Sequence, residues 1–423
     1  MLDQLSVELS EHIAACLDDR LDLLALRLVC RHLRSATDNL FVRTCFRTLK
    51  IDFTPRSLLR LENIAHHEFL RESVRHIRVG KCGRPPMIRP FDLHPHDHLT
   101  KVYGEGNSWQ RTESGSLDLD SPFIRGIQDL LLRFTRCTEI SVADTLGRSS
   151  GPDNTLKLTA VDVLILMCSL LARQKVPRIE SFNILFIRRL TFPRLDPLLH
   201  TTLNSPSFQA SWSYIRHLKI CWPIEDIITD LTLDLIIRAP RLHTLFLRSG
   251  LSLSADLFLR RLAQSPSLPT PTDISLGILM DVTPKALAGA ILRFKDSLIA
   301  MRLCAVKIVN EDWSALFGLL RGEEFPFLQT IVVKRPFKAF FCPLRMRQDV
   351  LSECGGQFEF ALNSYQNKTR VKSVRYHGTP SGVQLALKAL ANQSTYSLLT
   401  EPQSPGYPDM EHFDDRVGVL AEI

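Results

Sequence analysis

At 423 residues the chain is too long for one ordinary compact core, and its length points to several domains or to a stacked, repetitive architecture. A hydrophobic content of 45% falls in the range of folded globular proteins and excludes a wholly disordered chain. The formal net charge of +7, from 52 basic against 45 acidic side chains, is too diffuse for the dense local patch that nucleic-acid binding calls for, so nucleic acid is not an expected partner.

The first 45 residues predict three short helices. Asp3, Glu8 and Glu11 stand where a secretory signal would need a basic start and an apolar core. Ser6 is placed to cap a first helix with Glu8 in its first turn, and Leu9, Ile13 and Leu17 recur every four residues along one face. Asp18, Asp19 and Asp22 supply a turn and a cap for a second helix through Leu23, Leu24, Leu26, Leu28 and Val29. A third is expected from about Cys30 to Asn39. So small a bundle cannot hide this much leucine, which leaves a partner, or the segment that follows, to cover the remainder.

From residue 46 one pattern recurs: apolar, two residues, apolar, one residue, apolar. It reads Val74/Ile77/Val79, Ile179/Phe182/Ile184, Ile215/Leu218/Ile220, Leu242/Leu245/Leu247, Leu298/Met301/Leu303, Leu328/Ile331/Val333 and Val371/Val374/Tyr376, with weaker copies at Phe46, Cys137 and Pro271. The central copies start at 215, 242, 271, 298 and 328, intervals within or close to the roughly 20–29 residues of a strand–helix repeat. Helices are expected between them at Asp226–Arg238, Ala255–Gln264, Pro284–Lys295 and Asp312–Leu320, with Thr283-Pro284 as a cap followed by a first-turn proline. Such units bury their apolar sides only by stacking, with parallel strands on the concave side and helices on the convex side. The competing arrangement is an ordinary open α/β domain with buried parallel strands.

Three segments break the repeat. Residues 81–120, rich in Pro, Gly, His and charge, predict a long mobile loop; residues 337–368 read as a second insertion with a short helix near Gln348–Cys354; and the stretch from 394 reads as a tail or cap. The longest apolar stretch, Val163–Ala172, is too short for the roughly 20 residues that span a bilayer, so no membrane association is expected. Ten scattered cysteines without a C-x-x-C pair predict buried free thiols in a reducing compartment, cytosolic or nuclear. The HPHDH segment (His94, His96, His98) could hold a metal, but its proline-flanked setting favours a solvated loop, and neither metal nor cofactor is expected. No phosphate loop, dinucleotide fingerprint, nucleophile elbow or zinc-protease helix is present, and the chain is not expected to be an enzyme.

The stretch LSVELSEHIAACLDDRLDLLALRLVCRHLRSATDNLF resembles the F-box family through Leu5, Glu8, Leu9, Ile13, Leu17, Asp22, Leu23, Leu24, Leu26, Arg27, Val29, Cys30 and Arg31, with Phe41 as the closing aromatic. Ser6 stands where the family usually has proline at the adaptor interface. The repeats at 46–378 resemble the leucine-rich-repeat family, but the Asn or Cys that this family places three residues after the third apolar position is matched only by Cys82. Together they resemble F-box receptors of the fungal type. The resemblance implies an α/β chain of three parts: an F-box at 1–45, an irregular leucine-rich-repeat solenoid at 46–393 and a tail at 394–423. It implies that Leu5, Ser6, Leu9, Ile13, Leu17, Leu23, Leu24, Leu28, Val29 and Cys30 bind a Skp adaptor, which links to a cullin scaffold of a ubiquitin ligase. The alternatives are a repeat scaffold acting outside a ligase and an end cap that merely protects the first strand.

On each copy the third, fifth and seventh positions should project from the sheet. These include Arg78, Lys219, Phe246, Arg248, Arg302, Lys334 and Arg375, alongside the acids Asp52, Glu139 and Asp273. An excess of cations there would attract an acidic or phosphorylated target segment; the bland counterpart is a solvated polar face with binding elsewhere.

Overall fold

The computed structural model describes residues 5–17, 19–80, 109–143, 158–173, 178–186, 197–223, 226–249, 255–309, 313–334, 357–365 and 368–393. Four helices come first: α1 (Val7–Ala15), α2 (Arg20–Val29), α3 (Arg31–Ala36) and α4 (Asp38–Phe46). Eleven strands follow: β1 (Thr48–Ile51), β2 (His76–Val79), β3 (Glu139–Ala143), β4 (Ser181–Leu185), β5 (His217–Cys221), β6 (Thr244–Arg248), β7 (Asp273–Gly277), β8 (Ala300–Cys304), β9 (Thr330–Lys334), β10 (Gln357–Tyr365) and β11 (Lys368–His377). They form one open sheet in the order β1 to β9, then β11, then β10.

The first nine strands are parallel and lie in chain order without a crossover. A chain that advances one strand at a time through right-handed connections places every connecting helix on the same face. That face holds the core. Leu49, Ile77, Ile140, Phe182, Leu218, Leu245, Ile274, Met301 and Ile331 pair in one continuous register row, and Ile51, Val79, Val142, Ile184, Ile220, Leu247, Leu276, Leu303 and Val333 in a second. All of them are buried in a single apolar cluster. The recurring apolar triplets thus mark strands whose last two apolar members face inward.

Helix starts are set by one local device. Ser6, Thr54, Ser121, Thr159, Ser205 and Thr283 each accept a hydrogen bond from the backbone N–H three residues on. Pro55, Pro122, Pro206 and Pro284 follow four of these caps, where a missing N–H costs nothing. Each such cap contributes about 1 kcal/mol. The apolar stretch at 163–172 lies in the helix Ala160–Leu171, nearly all of it buried. Its Asp162, 3% exposed, completes a capping box with Thr159 and receives Arg111 at 2.7 Å.

The corners between repeats are held by the main chain. At strand entry, two successive N–H groups share one carbonyl of the preceding repeat, as Arg216 and His217 do with Glu180 O, and Thr272 and Asp273 do with His243 O. At strand exit, the N–H two residues beyond the last inward apolar residue donates to the next strand: Phe186 to Cys221 O, Trp222 to Arg248 O, Ser249 to Gly277 O, Ile278 to Cys304 O and Ala305 to Lys334 O. These bonds satisfy the turning backbone without help from a side chain. Phe53, Ile278 and Ala305 turn here with positive φ of 57°, 47° and 55°, a conformation that side chains other than glycine adopt at a cost.

Several expectations need correction. The third helix is two helices, α3 and α4, broken at Thr37, whose hydroxyl donates to Leu33 O at 2.6 Å. The last repeat does not continue the parallel order: β11 runs antiparallel to β9 and to β10. β10 lies within the 337–368 segment, which therefore carries a strand, while the helix expected near 348–354 falls outside the described residues. The end of the 81–120 segment is folded rather than loose, for Leu117 is fully buried and Trp109 packs edge-on to Phe53 and Phe123. The helices Asp226–Ile237, Ala255–Gln264, Pro284–Leu292 and Trp313–Arg321 lie where capping and periodicity placed them. No helix among the described residues is long and apolar enough to cross a membrane.

Candidate functional site

Two surfaces meet the requirements of a partner-binding site. The first is the helical module. α1 turns its small residues inward, with Ser10 and Ala14 buried, while Leu9 is 55% and Ile13 45% exposed. Val7, Leu21, Leu28 and Val29 are also exposed, Leu28 at 87%. Six large apolar side chains within residues 7–29 are therefore open to solvent. Leu5, Leu17 and Leu24 are half-buried.

Other members of the expected adaptor set have structural work. Leu23 is 3% exposed and belongs to the module's interior, so it offers no surface to a partner. Ser6 caps α1, its hydroxyl accepting from Leu9 N at 3.3 Å. Cys30 caps α3 in the same way, its sulfur accepting from Leu33 N at 3.4 Å. Val7 and Leu21 are exposed members that the leucine pattern did not single out; helical phase, counted from the buried Leu23, finds Leu21, whereas Val7 precedes the buried Ser10 by three residues and phase does not find it.

Within the module Arg27 ties α2 to the α3–α4 connection. Its guanidinium donates to Arg34 O at 3.0 Å, to Thr37 Oγ1 at 3.3 Å and to Asp38 Oδ1 at 2.6 Å, and it lies 4.0 Å from the Phe41 ring centroid. Phe41 in turn meets Phe46 edge-on at 5.9 Å, and Phe46 packs on the core of the sheet. β1 begins two residues after α4 ends, so no flexible linker separates the module from the sheet.

The second surface is the sheet face turned away from the helices. Arg78, Lys219, Phe246, Arg302 and Arg375 all fall in one register row that crosses it, in the order Lys50, Arg78, Ser141, Asn183, Lys219, Phe246, Ser275, Arg302, Val332, Arg375. With strands about 4.8 Å apart, Arg78 and Lys219 stand roughly 14 Å from each other. Arg248 and Lys334 occupy the neighbouring row.

The charges of this face are partly spent. Arg302 bonds Asp273 at 3.0 Å and Arg375 approaches Glu359 at 3.6 Å, so these two cations are neutralised across the sheet. Lys219 lies 4.7 Å from the Phe246 ring centroid. Arg78, Arg248 and Lys334 have no carboxylate partner among the described residues. A polar network at β2–β4 was not legible in the sequence: His76 Nε2 sits 2.7 Å from Ser141 Oγ and 3.7 Å from Glu139, while Asn183 donates to Glu139 at 2.8 Å and to Ser141 at 3.0 Å. Burial holds His76 below the ordinary histidine range, nearby Arg78, Arg47 and Lys50 add to this, and Glu139 opposes it.

The chemistry of the thiols is that of packing. Burial pushes Cys137 and Cys168 up to about 12 and Cys221 to about 11, so none of the three is a thiolate at neutral pH. Cys16, expected to be buried, is exposed. The HPHDH segment lies outside the described residues. No protein-family model matches the chain, and no curated protein matches it.

Proposed function

We propose that the chain is the substrate-recognition subunit of a Skp–cullin–F-box ubiquitin ligase, holding the Skp adaptor on its helical module and a target protein on its repeats. The observation that carries this reading is the uncovered apolar set on α1 and α2: Val7, Leu9, Ile13, Leu21, Leu28 and Val29. A fold that buries its large apolar side chains in two unbroken rows elsewhere has no internal use for six exposed ones in so short a stretch, and exposed apolar surface of this extent favours a protein interface. The F-box resemblance of residues 5–41 names the partner. The tight α4–β1 junction supports the role as well, since a receptor must hold its target at a fixed distance from the charged conjugating enzyme to raise the effective concentration there.

The sheet face is the reading's candidate for target capture, through Arg78, Lys219, Arg248 and Lys334, with Phe246 supplying apolar area. Arg302 and Arg375 already have carboxylate partners and contribute less.

Co-purification tests the reading. The full chain is expected to recover the adaptor and cullin, and the Leu9→Asp, Ile13→Asp double variant is expected to lose at least about tenfold of that recovery while keeping its thermal midpoint, because burying two carboxylates in an apolar interface costs several kcal/mol. Unchanged recovery would sink the assignment. Recovery of the adaptor without the cullin would instead support a scaffold acting outside a ligase.

A further inference from the structure

The strongest unassigned feature is a groove at the junction of the helical module with the first repeats. It lies between α4 and the segments that enter β2 and β3, and it gathers Arg43, Arg47, Arg75 and Arg136 around a single carboxylate, Glu72, with Phe69 beside them. Arginine stays protonated at any physiological pH, so the groove carries four positive charges against one negative.

The guanidiniums are not equally free. Arg136 approaches Glu72 at 3.3 Å, and Arg75 uses one terminal nitrogen on Glu72 O at 2.7 Å. Arg43 and Arg47 are exposed and have no acidic partner among the described residues. Phe69 is 47% exposed, an apolar ring on the rim of a charged cleft. Guanidiniums that crowd together without enough carboxylates repel one another, and an anion that enters relieves the repulsion while accepting their forked hydrogen bonds.

We infer that this groove binds a phosphorylated side chain on a peptide segment of the partner protein, the phosphate lying among Arg43, Arg47 and Arg75 and the flanking residues passing over Phe69. A phosphate monoester brings close to two charges and three acceptor oxygens, against one charge for a carboxylate, and so matches the surplus in the groove better. A polynucleotide fits less well. Farther along the same edge Arg178 is engaged by Glu180 at 3.6 Å and by the Tyr214 ring at 4.9 Å, and Arg241 by the same ring at 5.2 Å, contacts that a strand tracking the edge would have to break. The inference rests on the receptor reading only in taking the peptide to belong to a target. It moves phosphate recognition from the sheet face to the module junction.

Fluorescence anisotropy of the full chain tests it, with a labelled phosphothreonine peptide pool of degenerate flanking sequence, the same pool unphosphorylated, a short single-stranded oligonucleotide, and inorganic phosphate as competitor. The phosphorylated pool is expected to bind about tenfold more tightly than its unphosphorylated counterpart. Arg43→Glu with Arg47→Glu should erase that difference, whereas Lys285→Glu, at an exposed position of the helix Pro284–Leu292 that has no part in either surface, should leave it within about twofold. Thermal melting confirms that the variants fold, and Arg43→Gln, which removes charge without reversing it, should give a smaller loss in the same direction. Equal signals from both pools, including none from either, overturn the inference. So does a double variant that binds as well as the parent, an oligonucleotide that binds more tightly than the peptides, or inorganic phosphate that competes at the phosphopeptide's own concentration. Adaptor recovery, read on the same preparations, should be unchanged in the arginine variants, so loss of phosphate binding and loss of adaptor binding are separately visible.

Discussion

The first helix and the sheet that follows the helical module bury their residues in opposite senses. In β1 to β9 the large side chains point inward in two rows and the outward positions are mainly small or polar, with Leu185, Phe246 and Val332 as large apolar members. In α1 the small residues Ser10 and Ala14 point inward, and Leu9 and Ile13 are left outside. The same types of amino acid are thus core in one region and solvent-exposed in the other. Type alone does not tell them apart; only the phase relative to the buried positions does.

Substitution makes that contrast measurable. Phe182, fully buried and 5.0 Å from Trp212, should cost about 3–5 kcal/mol as Phe182→Ala in chemical denaturation, whereas Leu9→Ala should change stability by less than about 0.5 kcal/mol. A large loss from Leu9→Ala would show that α1 packs its apolar face on the chain itself. Arg27→Ala comes next. It removes the bond to Asp38 and the contact with Phe41 from a side chain only 10% exposed, and should cost about 2 kcal/mol, read as a lower midpoint for unfolding of the helical module while the sheet is unaffected.

The smallest effect concerns pH. His76 has its folded value below the ordinary 6.5, first because of burial. Between the folded value and about 6.5 the unfolded chain binds more protons than the folded one, so stability rises with pH across that window. The contribution is whole above about pH 6.5 and is lost as the pH falls toward the lowered value. Denaturation midpoints measured from pH 8 down to pH 5 should fall by less in His76→Gln than in the parent. An identical fall in both would remove His76 from the account.

Much of the fold could be read before the structure. Period-two apolar pairs located β1 to β9 and β11, and Thr283-Pro284 fixed the start of a helix to the residue. The direction of β11 could not be read, because alternation looks the same in parallel and antiparallel strands. The break at Thr37 did have a local signal, since Ser35, Thr37, Asp38 and Asn39 are weak helix formers that favour caps. For the sheet face, spacing placed Arg302 and Arg375 correctly, but their neutralisation depends on carboxylates one strand away, Asp273 and Glu359, and register across strands is a tertiary fact. In the second helix, Leu21, Leu23, Leu24, Leu26 and Leu28 surround the axis, so composition alone could not say that Leu23 is inside and Leu28 outside.

The main-chain bonds at the strand exits bear on how such a molecule can change over time. Phe186, Trp222, Ser249, Ile278 and Ala305 stand at equivalent corners and range from an indole to a methyl group, and the donor at each is an amide that every residue except proline carries. The bond itself therefore tolerates any side chain that the largely buried setting of these corners accepts. The strand exits are held by the backbone itself, and a proline at any of those five places would delete the donor outright.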